Sequence, residues 1–397
     1  MNRNIGLVCL ITLLRDSGTF VISPFVILYL RSLGISIVSI GMLYGLLGAL
    51  DIVFSLPIGH LSDRWGRKPW IVASSLCGIV TYGLFIVSRS VPHFVVVFIL
   101  WNVADLAWQY SVPMYLHDMV ENTGRGDALA KMGMMTTVAG LLAPVPAGFL
   151  AETYGIRLLF VVALLFEVGV VGIVTYWIHS GISEIRESRN GPTEERINLF
   201  SQVKNLFEYL TGNIFYFALA MVVMSFGWAV LEIVTPLFLK EGLGISYLGF
   251  GVIMSAIGIL GAVAKLLVGR FTDVHGRLST LLYSTLCAGI CMTVIGVVTS
   301  ELQFVLTRGT GSIFGAVMWI VWMASFHDII KKRRATISAF IDTLSGGSYA
   351  VGSFFAGFLV SVITARRCFF LIGGIYMLTA IIFSRIRPEG DRFFTEH

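Results

Sequence analysis

The sequence predicts an all-α membrane protein whose twelve transmembrane helices form two related six-helix halves, and three observations predict it. Of the 397 residues, 56% are hydrophobic and only 13% charged, which is more apolar surface than a soluble fold of this length can bury, so lipid is the solvent. Apolar runs long enough to cross a hydrocarbon core of roughly 30 Å, about 20 residues each, occur twelve times. Short motifs also recur at one fixed offset along the chain.

The expected spans are 5–30, 38–60, 70–88, 92–117, 127–151, 157–178, 213–239, 247–270, 278–299, 302–326, 335–361 and 366–384. The N-terminal run superficially resembles a signal peptide, but Arg15 and Asp16 interrupt it, no small-residue cleavage site follows, and it continues to Leu30, so it reads as the first span. A charged, turn-rich stretch from Ser180 to Asn198 separates spans six and seven. The division is therefore 1–179 for the first half, 180–212 for a cytoplasmic linker, and 213–397 for the second half with a short basic tail. Leu199, Phe200, Val203, Leu206, Phe207 and Leu210 recur at helical spacing, which fits either an interfacial amphipathic helix or an extension of span seven.

With the N-terminus in the cytoplasm, cytoplasmic segments hold 19 of the 28 basic residues, external loops hold 6, and Arg15, Lys265 and Arg308 lie inside spans. Basic residues are retained on the cytoplasmic side, so both termini are placed there, in a cell (inner or plasma) membrane. The net charge of +5 forms no continuous stripe, and nucleic acid is not an expected partner. Five cysteines without metal-ligand spacing read as packing residues, so no metal is expected.

Gly59, Asp63, Gly66 and Arg67 recur 210 positions later as Gly269, Asp273, Gly276 and Arg277, each time between a second and a third span. The segment from Leu33 to Ser36 recurs as Leu243 to Ser246, and His117 and Asp118 recur as His327 and Asp328, at the same offset. Two parallel six-helix repeats are the mark of a secondary transporter that rocks about a central site.

The run containing Gly59, Asp63, Arg64, Gly66, Arg67 and Lys68 resembles the loop motif of the major facilitator superfamily, with a weaker copy at Gly269, Asp273, Gly276 and Arg277. The resemblance covers essentially the whole chain. A carboxylate is favoured beside a helix N-terminus, where first-turn N–H groups and the macrodipole are positive. The resemblance implies that Asp63 meets the start of span eleven, near Ala335 to Ser338, and closes the cytoplasmic side in one state, while Arg64, Arg67 and Lys68 pair with acids or lipid headgroups. Plain positive-inside anchoring is the other reading of Arg67 and Lys68. In span five, Ala139, Ala143, Pro144, Ala147 and Gly148 are similar to the glycine-proline motif of the superfamily's antiporters, with alanine in three of the glycine places. Small residues there allow close helix approach, and Ala143, Pro144 and Gly148 allow a bend. Span one from Ser23 to Leu30, ending at Leu33 and Gly34, resembles the drug/proton antiporter branch.

Nine ionisable residues other than histidine fall within the spans away from their ends: Arg15, Asp16, Asp51, Asp105, Glu167, Glu232, Lys265, Arg308 and Asp342. Each costs on the order of 3 kcal/mol if it faces lipid at mid-membrane, so each should face a cavity or a partner. In the superfamily, spans one, four, seven and ten line the central cavity, and here they carry Arg15 and Asp16, Asp105, Glu232, and Arg308. This implies candidates for proton coupling or substrate contact, Glu232 first and Asp16 and Asp105 next. The competing account of Arg15 is a structural ion pair with Asp105 or another acid. Glu167, on span six, has no assigned role. The superfamily's proton antiporters often carry an arginine in span four; the matching position reads Asn102, or Asp105 on a shifted alignment, and Arg15 is the candidate replacement. Trp101, Trp108, Trp228, Trp319 and Trp322 are candidate aromatic contacts for an amphipathic solute, interfacial anchoring or packing being the other account.

The expected protein is thus a monomeric, ion-coupled exporter of small organic molecules, with protons and membrane lipid as its other partners. The alternative is a metabolite uptake symporter or uniporter on the same scaffold. No nucleotide-binding glycine loop or nucleophile constellation occurs, so no enzyme activity and no cofactor are expected, and the energy source is a proton or ion gradient.

Overall fold

The computed structural model describes residues 3–120, 124–177, 212–329 and 334–386. Among the described residues there is no strand, and twelve helices are long and apolar enough to span a bilayer. They are α1 (Asn4–Ser32), α2 (Ile37–Trp65), α3 (Arg67–Val87), α4 (Val91–Met119), α5 (Arg125–Tyr154), α6 (Arg157–Trp177), α7 (Gly212–Gly242), α8 (Tyr247–His275), α9 (Arg277–Ile295), α10 (Glu301–Ile329), α11 (Arg334–Val362) and α12 (Ala365–Phe383). The expected spans and these helices differ at their ends by a few residues. The linker and the helical pattern over 199–210 lie outside the described residues.

Local chemistry explains the interruptions. Pro24 accompanies a 3₁₀ turn at Ser23–Phe25 in α1. Pro144 has no N–H to donate back along the helix, and α5 divides there into Arg125–Leu142 and Pro144–Tyr154. The last turn of α7, Phe238–Gly242, is π-helical.

The repeat read from the sequence extends to backbone and hydrogen bonds. Gly34 and Gly244 turn the chain at φ 79° and 69°, and Gly66 and Gly276 at 91° and 75°, a region open to glycine because it has no Cβ. Ser36 Oγ accepts from the N–H of Ser39 at 3.1 Å and Ser246 Oγ from that of Gly249 at 3.0 Å, capping α2 and α8 alike. Asn102 Nδ2 donates to the Leu47 carbonyl (3.4 Å), and Ser312 Oγ to that of Ile257 (3.0 Å), so α4 is tied to α2 as α10 is to α8.

The helices group into two compact units. The first comprises Met1–Glu194 with Leu239–Ala256; in it α1 packs on α5 and α6, α3 on α4 and α6, and α2 on α4. Its core includes Phe85 stacked on Phe160 at 4.7 Å, with the Tyr29 hydroxyl donating to the Phe85 carbonyl at 2.9 Å. The second comprises Glu195–Phe238 with Ile257–His397; there α7 packs on α11 and α12, and α9 on α10 and α12.

Candidate functional site

In the first unit the buried charges converge on Arg15. Its Nη1 lies 2.6 Å from Glu167 Oε1 on α6, its Nη2 donates to the Ala104 carbonyl of α4 at 3.2 Å, and its guanidinium sits 4.7 Å from the centre of the Trp108 ring. The pair is 4% and 1% exposed. Glu167, to which the sequence assigned no role, is therefore the counter-ion of Arg15, in place of Asp105. A helix-by-helix reading of exposure misses it because α6 brings the carboxylate inward against α1 and α3. Gly78 on α3 makes the space: a Cβ there would lie 2.9 Å from Glu167 Oε1. Because Arg15 pins that oxygen, Gly78→Ala should cost about 1–3 kcal/mol through overpacking, read as a lower thermal unfolding midpoint in detergent.

Four other intramembrane carboxylates are held by neutral donors. Thr136 Oγ1 of α5 donates to Asp16 (2.5 Å), Asn102 Nδ2 to Asp51 (2.6 Å), and Gln109 Nε2 to Asp105 (2.7 Å), all in the first unit. In the second unit the Tyr349 hydroxyl of α11 donates to Glu232 Oε2 on α7 at 2.6 Å, and Glu232 remains exposed. Among the described residues none of these four carboxylates makes an ion pair. Asn102 thus serves two partners, the Leu47 carbonyl and the Asp51 carboxylate.

Two of the five tryptophans are occupied with packing rather than open to a solute. Trp108 is 7% exposed beneath Arg15, and Trp101 meets Phe85 and Phe98 edge-on at 5.7 and 5.6 Å. Trp228 and Trp319 are exposed, and Trp319 lies 4.8 Å from Trp322. Arg308 on α10 has its Nε buried without a hydrogen-bond partner.

At the loop-motif end of the first unit, Arg67 Nε lies 3.5 Å from Asp118 of α4, and its Nη1 donates to Ser62 Oγ at 3.2 Å. Arg125 Nε donates to the His117 and Val120 carbonyls at 3.2 and 3.1 Å, tying the start of α5 to the end of α4. The side chains of Asp63 and Arg64, the Gly59 site, Asp273 of the second copy, and the region near Ala335 expected to receive Asp63 lie outside the described residues. Arg277 is exposed. The bend motif packs within the first unit on the start of α8. A Cβ on Gly148 would lie 2.5 Å from the Tyr247 carbonyl oxygen, a Cβ on Gly251 would overlap the Pro144 carbonyl oxygen, and Glu152 accepts from the Tyr247 N–H at 2.6 Å.

Comparison with known proteins adds to this geometry. The family model described as the Major Facilitator Superfamily matches residues 8–219 and again 217–395. The multi-drug resistance efflux pump PmrA of Streptococcus pneumoniae is 24% identical over 326 residues, 77% of each chain. Multidrug resistance protein 1 of Bacillus subtilis is 23% identical over 380 residues, 94% of this chain and 90% of that one. The crystal structure of the nucleoside transporter NupG shares the fold with a TM-score of 0.79 over 97% of this chain and 99% of that one, at 13% identity.

Proposed function

The chain belongs to the major facilitator superfamily, and from that premise we propose that it exports small amphipathic or cationic organic molecules by alternating access, in exchange for protons. One observation carries the proposal: Asp16, Asp51, Asp105 and Glu232 are each bonded to a hydroxyl or side-chain amide, while the buried Arg15 is neutralised by Glu167. A carboxylate held by a neutral donor can exchange a proton without unmaking an ion pair, and intramembrane carboxylates of this kind mark proton relays and cation paths. The similarity to efflux pumps supports export. Charge distribution supports cytoplasmic termini, because the cluster from Lys331 to Arg334 and the residues Arg64, Arg67 and Lys68 then face the cytoplasm. The superfamily consists of transporters rather than enzymes.

Uptake with co-transport of the ion is the second reading, favoured by the lack of arginine at the span-four position matching the antiporters, which is Asn102, or Asp105 on a shifted alignment. An imposed pH gradient across proteoliposomes separates the two. Exchange predicts that tetraphenylphosphonium accumulates in the direction opposite to proton flow; movement with the protons would support the second reading and remove the first.

A further inference from the structure

Each unit holds an arginine inside a span, in unlike surroundings. Arg15 has a carboxylate, a carbonyl and an indole face around it. Arg308 has none of these among the described residues: no ion pair and no hydrogen bond to its buried Nε, with Tyr376 of α12 and Cys291 of α9 near it. Neither neighbour is charged at neutral pH in its ordinary state. Arginine stays protonated in proteins, and a charged group inside a span is costly unless it faces a partner or a cavity. The residue keeps partial exposure, which leaves access for a small ligand.

We infer that Arg308, beside Cys291 and Tyr376, forms an anion-binding site inside the second unit. Its occupant is a monovalent anion, either the carboxylate of an amphipathic solute or a free halide. A planar guanidinium presents several donors and suits either one. The small-residue face of α10 helps to shape the site, since a Cβ on Gly311 would lie 3.2 Å from both Cys291 Cβ and Met292 Cε, which sets α10 close against α9. The assignment is independent of proton coupling, so failure of the exchange reading leaves it standing.

The test is thermal unfolding of the purified chain in detergent, titrated with sodium chloride or sodium benzoate in a Hepes background at constant ionic strength. The wild type should be stabilised by several degrees, saturably. A response to chloride identifies a free halide as sufficient, and a response to benzoate alone identifies a solute carboxylate. Arg308→Met should abolish the response. Cys291→Asp, which places a carboxylate beside the guanidinium, should also abolish it while leaving Arg308 in place, and it serves if Arg308→Met does not fold. No stabilisation of the wild type by either salt, or an undiminished response in a folded variant, would overturn the assignment.

Discussion

Arg15→Met should lower stability by about 3–5 kcal/mol, and Glu167→Leu by a similar amount, because each leaves the opposite charge buried and unpaired. The pair is almost wholly shut from solvent, its 2.6 Å contact lies between α1 and α6, and Arg15 also reaches the α4 backbone, so three helices lose a shared point of attachment. Arg15→Met combined with Glu167→Leu removes both charges and keeps apolar volume, and it should recover most of the loss. Thermal unfolding of the two single variants and the double variant measures this coupling directly. Single variants within a few tenths of a kcal/mol of wild type would mean that the pair is solvated.

Transport by Gly251→Val should fall at least about tenfold while the chain still inserts and purifies. The reason is geometric: even a Cβ at this position overlaps the backbone carbonyl oxygen of Pro144, and a rotamer change cannot move a backbone atom. Relief needs displacement of the start of α8 from α5, and overpacking of this kind costs about 1–3 kcal/mol. Pro144 and Gly148 both belong to this contact, so the bend in α5 and its close approach to Leu239–Ala256 are one structural feature. Unchanged transport in Gly251→Val would show that the contact has no part in the cycle.

The spans were legible in the sequence because the bilayer imposes a length and a composition on every crossing. The repeat was legible because glycine at positive φ, as at Gly34, Gly66, Gly244 and Gly276, leaves a mark that side-chain drift does not erase. Hydrogen bonds at the same offset, Asn102 to Leu47 and Ser312 to Ile257, were not, since asparagine and serine are different residues doing one job. The charged positions were visible as charges but their partners were not. Arg15 could reach several acids, and which one it meets depends on helix rotations that a span-by-span reading leaves undetermined. For this reason the sequence assigns Glu167 no role and leaves Trp108 open between solute contact and packing, although both surround Arg15. The partners of Asp16, Asp51, Asp105 and Glu232 were invisible for the same reason: threonine, asparagine, glutamine and tyrosine on apolar helices carry no signal of direction.

Carboxylates with neutral partners are proposed to carry the coupling proton, and Glu232 is one such carboxylate in the second unit. Proteoliposomes containing wild type or Glu232→Gln, loaded with a pH-sensitive dye and given tetraphenylphosphonium outside, test it most directly. The account predicts substrate-dependent proton counterflow in the wild type that is lost in Glu232→Gln; equal proton counterflow in both would contradict it.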